Sequence, residues 1–280
     1  MDGADLRKVK EKTMDAAADV VSLMMLFVIV SPRRSKRILE LGRRPIVIGG
    51  CGRSGTTLML SVLSCHPHIL AIEKETTALC PDGYSRAGYV KNPRLDAPLV
   101  LWRIYRSLVN LDISEEKTRW CEKTPRNVFY FEKILRRFGQ GVRIIHMVRD
   151  GRDVVTSRHP LEPKKYWIGP ARWVQDVSAG LKTENHPQVL TVRYEDLVQD
   201  YQKTVRRVCT FIGEEFVPDF ASYPQNARVK QNLAWFGRAR SMHTSPIGRW
   251  KEARYVQRVA AFLSEPGAVE LLRHYGYEVE

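Results

Sequence analysis

The stretch Pro45 to Leu58, P-I-V-I-G-G-C-G-R-S-G-T-T-L, decides the fold of this 280-residue chain. It begins with a short β-branched run, Ile46-Val47-Ile48, which is typical of a buried strand. Four glycines follow within seven residues, and an apolar helical pattern then starts at Leu58. A strand, a glycine-rich turn and a helix start together form a nest of backbone N–H groups. Such a nest binds phosphate-like anions, because glycine lets the backbone approach the anion closely.

This loop departs from the phosphate loop of nucleoside triphosphatases at one decisive position. The pattern G-x-x-x-x-G-K-[ST] fits as far as Gly55, but Thr56 stands where the lysine should be. A nucleoside triphosphatase needs that lysine on its β- and γ-phosphates, with a magnesium ion beside it. Here the cation lies inside the loop, at Arg53, and Ser54, Thr56 and Thr57 add three hydroxyls. The loop therefore suits a terminal oxyanion.

The remaining pattern predicts one α/β domain of the P-loop type. Two more apolar runs, 143–148 and 188–197, predict buried strands. Because strands alternate with helices at this spacing, we expect a parallel sheet with helices on both faces, over residues 41–280. Helices are predicted at 100–109, 128–138, 154–159 and 201–212.

Residues 1–40 form a separate helical extension in this prediction. The apolar core of that segment, 20–30, is short for a membrane span of about 20 residues, and no signal-peptide cleavage site follows it. A buried or interfacial helix is favoured over a membrane anchor. The basic run 33–37 would suit an anionic lipid surface, so peripheral membrane association through residues 14–37 stays open. The odd set of five cysteines without C-x-x-C indicates a reducing, cytoplasmic setting.

The charge balance limits the class of partner. With 45 Lys plus Arg against 31 Asp plus Glu, the net charge is +14. Such a balance is typical of nucleic-acid binders and also of sites that hold a polyanionic cofactor. No ribonucleoprotein, zinc-finger or basic-zipper pattern accompanies the basic residues, so we expect no nucleic-acid partner.

Four motifs, in order along the chain, resemble those of sulfotransferases that use 3′-phosphoadenosine 5′-phosphosulfate. G-R-S-G-T-T-L after a strand resembles their 5′-phosphosulfate loop. V-R-D-G-R-D-V-V-T-S resembles their 3′-phosphate segment, which implies that Arg149 and Ser157 hold the 3′-phosphate. R-Y-E-D-L implies that Tyr194 lies near the cofactor, and G-R-W implies that Arg249 closes over it. The product would be 3′-phosphoadenosine 5′-phosphate.

The resemblance also implies the catalytic residues. E-K-T-P-R-N resembles the lysine segment of the tyrosylprotein and carbohydrate branch, in which the lysine, Lys123 here, points at the transferred group. A cation there, with Arg53, neutralises charge on the breaking S–O bond. E-K-E-T lies where that branch carries its glutamate base, and either Glu73 or Glu75 fits. The arginine that follows in the branch is Thr77 here, which leaves acceptor recognition open.

The reaction expected is sulfuryl transfer to a hydroxyl, without a metal. A sugar or a protein tyrosine is favoured as acceptor, and a small alcohol or phenol is left open. One alternative is a P-loop kinase for a small molecule, which would require magnesium-dependent ATP turnover. The other is a non-catalytic nucleotide-binding protein of the same fold, which would bind the cofactor without turnover.

Overall fold

The β-branched run at Ile46 forms the middle strand of the fold, and all its residues are buried. The computed structural model describes residues 3–85, 88–159, 161–162, 164–232, 237–238 and 241–279. The helices are α1 (Gly3–Ile29), α2 (Pro32–Leu41), α3 (Thr56–Leu63), α4 (Trp102–Val109), α5 (Phe131–Phe138), α6 (Gly151–Val155), α7 (Pro170–Leu181), α8 (Tyr194–Gln199), α9 (Tyr201–Ile212), α10 (Val256–Leu263) and α11 (Ala268–His274). The strands are β1 (Ile46–Gly50), β2 (Ile69–Ile72), β3 (Tyr84–Ser85), β4 (Gly88–Tyr89), β5 (Arg119–Lys123), β6 (Arg143–Val148), β7 (Val189–Arg193), β8 (Gln231–Asn232) and β9 (Gly237–Arg238).

Five of these strands form one parallel sheet in the order β2-β5-β1-β6-β7. In the register of this sheet, Ile48 lies beside Lys123 of β5, and Gly50 lies beside Met147 of β6. The α/β prediction is confirmed. Because the strands are parallel, all five carboxyl ends meet at one edge of the sheet, which is where ligands bind in such folds.

Helices cover both faces of the sheet, as predicted. Val47 points into a core shared with α1, α2, α4 and α5, whereas Ile46 and Ile48 point into the opposite core, built with α3 and α9. This alternation is the period-2 pattern of a strand buried on two sides. The first core includes Leu26 of α1 and Ile38 of α2, so the predicted extension packs on the rest of the chain.

The sequence prediction missed two strands of the sheet, β2 and β5. β5 reads R-W-C-E-K, and its charged residues are all buried. Arg119 donates to Glu214 at 3.2 Å, and Glu122 and Lys123 have the partners described below. Buried charges with partners of this kind break the apolar run by which a central strand is detected.

Other predicted boundaries shift for local reasons. The helix at 154–159 is wrong, because α6 ends at Val155 and the hydroxyls of Thr156 and Ser157 donate back to the carbonyls of Arg152 and Asp153. The strand predicted to run to 197 ends at 193, where α8 begins. The helix at 128–138 starts as a 3₁₀ segment over 125–130 before α5, whereas the helix at 201–212 has the predicted bounds.

Candidate active site

Each predicted site element follows the carboxyl end of a different strand. Glu75 lies shortly after β2, Lys123 ends β5, the glycine-rich loop follows β1, Arg149 follows β6, and Tyr194 follows β7. The parallel register therefore collects residues that are far apart in sequence along one edge of the sheet.

Two glycines, one at the end of β1 and one in the loop after it, leave no room for side chains. Gly50 has φ +146°, and a Cβ there would lie 2.2 Å from the carbonyl oxygen of Met147. Gly55 has φ +87°, and a Cβ there would lie 2.7 Å from the ring of Tyr194. Both positions require glycine, which keeps the backbone exposed as a cradle.

The cradle contains polar groups that an anion would satisfy. The Oγ of Ser54 is buried and has no hydrogen-bond partner in the described part of the chain. α3 starts directly afterwards with Thr56 and Thr57, both buried, and the first N–H groups of a helix have no partner within the helix. A buried donor without a partner costs free energy. The residues present therefore fit a phosphosulfate group.

Arginines concentrate positive charge beside this cradle. Burial, together with the nearby positive charges of Arg149 and Arg249, lowers the pKa of Arg53 to about 10. The Arg53 guanidinium lies 5.4 Å from the centre of the Trp167 ring. Because the charges of Arg149 and Arg249 repel that of Arg53, a polyanion bound among them would relieve the repulsion.

Arg149 is buried and connects the loop after β1 to the segment around Pro246. Its Nη1 donates to the carbonyl of Arg53 at 3.1 Å, and its Nη2 donates to the carbonyl of Pro246 at 2.6 Å. Its guanidinium lies 4.4 Å from the centre of the Tyr194 ring. The ion pair with Asp153 is long, at 3.9 Å. Arg149 is thus held at the loop, and no close ion pair neutralises its charge within the described residues.

Asp153 holds the segment that carries Arg249, a role that no sequence pattern indicated. Its buried carboxylate accepts hydrogen bonds from the N–H groups of Gly248 at 2.8 Å and Trp250 at 3.1 Å. Arg249 lies between those two residues with its side chain about half exposed. Ser157 donates to the Asp153 carbonyl at 2.9 Å, so Ser157 and the segment that carries Arg249 are both hydrogen-bonded to Asp153.

Lys123 and Glu75 form a close ion pair at the same edge. The Nζ of Lys123 lies 2.6 Å from the Oε1 of Glu75. The lysine side chain is 1% exposed, whereas the glutamate side chain is 39% exposed. Glu73 is exposed and makes no hydrogen bond or ion pair within the described residues. Of the two candidate bases, the structure brings only Glu75 to the lysine.

Glu122 is a second residue whose role the sequence did not reveal. Its fully buried carboxylate accepts from the N–H and hydroxyl of Thr76, from the hydroxyl of Thr124 at 2.6 Å and from the Nδ2 of Asn127 at 2.7 Å. Burial raises its pKa, and these hydrogen bonds act in the opposite direction. Glu122 therefore ties the neighbour of Glu75 to the strand that carries Lys123.

A cation also lies next to Thr77, where the resembled branch has its own arginine. Arg103 of α4 donates to the hydroxyl of Thr77 at 2.7 Å and to its carbonyl at 3.2 Å. The sequence motif alone contained no basic residue at this point, because Arg103 reaches it from another element.

Comparison with known proteins agrees with this geometry. Residues 45–219 match the model of the sulfotransferase family. The chain belongs to this family, whose reaction is the transfer of a sulfuryl group. It is 25% identical over 251 residues to the Caenorhabditis briggsae protein named "Putative protein-tyrosine sulfotransferase", covering 79% of this chain and 88% of that protein.

Two solved structures of similar fold carry the name sulfotransferase. The sulfotransferase domain from the Synechococcus PCC 7002 olefin synthase superposes with a TM-score of 0.53 at 17% identity, over 85% of this chain and 95% of that one. A sulfotransferase from Alicyclobacillus acidocaldarius gives a TM-score of 0.50 at 16% identity, over 84% of this chain and 97% of that one. At this identity the likeness concerns the fold.

Proposed function

We propose that this sulfotransferase moves the sulfuryl group of 3′-phosphoadenosine 5′-phosphosulfate onto a hydroxyl acceptor at the Lys123–Glu75 pair. The observation that carries the proposal is the position of that pair. A buried cation and an accessible carboxylate lie 2.6 Å apart, and the lysine ends the strand beside the anion-binding loop. Sulfuryl transfer to a hydroxyl builds negative charge on the leaving oxygen and releases a proton from the acceptor. A cation and a base are therefore needed close together.

The cofactor would be held at its two charged ends. The loop N–H groups with Arg53, Ser54, Thr56 and Thr57 suit the 5′-phosphosulfate, since they offer a cation, hydroxyls and a glycine cradle. We assign the 3′-phosphate to Arg149 and Ser157. Tyr194, whose ring lies against the Arg149 guanidinium, and Arg249 would lie beside it.

In the proposed reaction, Glu75 accepts the proton of the acceptor hydroxyl as its oxygen attacks sulfur. The new O–S bond forms while the S–O bond to the 5′-phosphate breaks in line. Lys123 and Arg53 neutralise the charge that builds on the departing oxygen. Most of the rate enhancement would come from positioning and charge neutralisation, as in phosphoryl transfer, and no step requires a metal.

For the acceptor we propose a sugar or a protein tyrosine hydroxyl with anionic surroundings. Glu75 is partly exposed, so a hydroxyl on a large molecule can reach it. Arg103 beside Thr77 and the net charge of +14 favour acidic neighbours. The relative named as a tyrosine sulfotransferase supports the same class of acceptor.

All five cysteines are free, which supports a cytoplasmic location.

A transfer assay with [³⁵S]-labelled cofactor tests the proposal. We expect label on an acidic tyrosine peptide or a carbohydrate, at equal rate with and without EDTA, because no metal takes part. Matched peptides with Phe for Tyr serve as the control. Transfer to a simple phenol alone would contradict the acceptor class. Phosphate transfer from ATP with magnesium, and no sulfate transfer, would favour the kinase alternative.

A further inference from the structure

The first helix, α1, is fixed to the domain by a row of ion pairs. Glu11 and Asp15 both pair with Lys133 of α5, at 3.3 and 3.0 Å. Asp19 pairs with Arg137 at 2.9 Å. One turn further, the Oγ of Ser22 accepts the N–H of Trp102 at 3.1 Å. These contacts define which side of the helix faces the domain.

Beyond this docked part, α1 presents apolar side chains to solvent. Within 20–29, only Ser22 and Leu26 are buried. Val28 is 83% exposed and Met24 is 63% exposed, and the other side chains of the surface are between about one third and three fifths exposed. We call this the α1 surface; its members are Val20, Val21, Leu23, Met24, Met25, Phe27, Val28 and Ile29. A contiguous patch of this kind marks an interaction site.

Basic side chains stand directly beyond the α1 surface, at the start of α2. Arg33 and Lys36 are exposed. Their neighbours differ, because Arg34 donates to the carbonyls of Val109 and Leu111 and thereby anchors α2. The side chains of Arg33 and Lys36 donate to no carbonyl group of the described residues. An apolar surface flanked by cations complements an anionic lipid surface.

We infer that the α1 surface with Arg33 and Lys36 inserts shallowly into the interface of an anionic membrane. Among the described residues, every helix falls short of the length and hydrophobicity that a membrane span requires. A second copy of the chain is the less favoured occupant, because both copies would carry a net charge of +14. This inference goes beyond the sulfuryl transfer proposed above and does not depend on it.

Flotation with vesicles tests the inference. We expect wild-type protein to float with phosphatidylcholine vesicles that contain about one third phosphatidylserine, and to float poorly with phosphatidylcholine alone. The double variant Met24→Glu/Val28→Glu should lower the partition coefficient by about tenfold or more, because two exposed apolar side chains that would enter the membrane become charges. Arg33→Glu/Lys36→Glu should abolish the preference for anionic lipid.

Val256→Glu is the matched control, since Val256 is an apolar residue that is 62% exposed on another helix, α10. It should float like wild type. Unchanged melting temperatures and sulfuryl transfer in the α1 variants would show that the fold and the site are intact. Absence of wild-type flotation would overturn the inference. A dimer in light scattering that Met24→Glu/Val28→Glu dissolves, without lipid binding, would assign the surface to self-association instead.

Discussion

Lys123→Ala should lower kcat for sulfuryl transfer by about 10²–10³-fold, because the departing oxygen loses the cation that neutralises it. The lysine side chain is 1% exposed and its Nζ lies 2.6 Å from Glu75, so the loss of its charge is felt at this point of the site. Cofactor affinity should change much less, since the residues assigned to the 3′-phosphate stay in place. Rates at saturating cofactor, together with the affinity for the product nucleotide, separate these two effects.

Two further variants make this result interpretable. Lys123→Met keeps the length of the side chain without the charge, so it should lose as much activity as Lys123→Ala while filling the same space. Lys74→Ala removes an exposed lysine on the neighbouring segment and should keep wild-type rates. A Lys123→Ala rate within about threefold of wild type would show that the transfer does not use this cation.

Glu75→Gln should lower kcat by about 10²–10⁴-fold, the range of a positioned general base. The amide keeps the size of the side chain but cannot take the proton of the acceptor hydroxyl. Glu73→Gln is the matched control, because it makes the same change two residues away on an exposed side chain without contacts in the described chain. Steady-state rates of both variants with the same acceptor decide between the two glutamates.

The reverse order of effects would contradict the assignment. If Glu73→Gln lost activity and Glu75→Gln kept it, Glu73 would be the base and would have to reach Lys123 in another conformation of this segment. If both variants kept full activity, proton removal would not limit the reaction at either carboxylate.

The anion-binding loop could be predicted from sequence because its determinants are local. A β-branched run, glycines at Gly50 and Gly55, and a following apolar helix each act within a few residues. The strands β1, β6 and β7 follow from the same local patterns, whereas β2 and β5 of the same sheet do not. The choice between Glu73 and Glu75 is not local, because it depends on which carboxylate reaches a lysine about fifty residues away.

The roles of Glu122 and Asp153 were out of reach for a related reason. In sequence, Glu122 is one charge in a polar motif, yet in the fold it lies in a central strand with Thr76, Thr124 and Asn127 around it. Asp153 resembles an ordinary acidic residue of a helix start, yet it binds the N–H groups of a segment about 95 residues further on. Long-range hydrogen bonds leave no periodic signal.

Calorimetric titration with 3′-phosphoadenosine 5′-phosphate, without magnesium, measures binding at the proposed cofactor site. We expect micromolar binding to wild-type protein and at least about thirtyfold weaker binding to Arg149→Ala, because the 3′-phosphate loses its buried guanidinium. If this nucleotide does not bind to wild type, and ATP with magnesium binds instead, the protein does not use a phosphosulfate cofactor at this site.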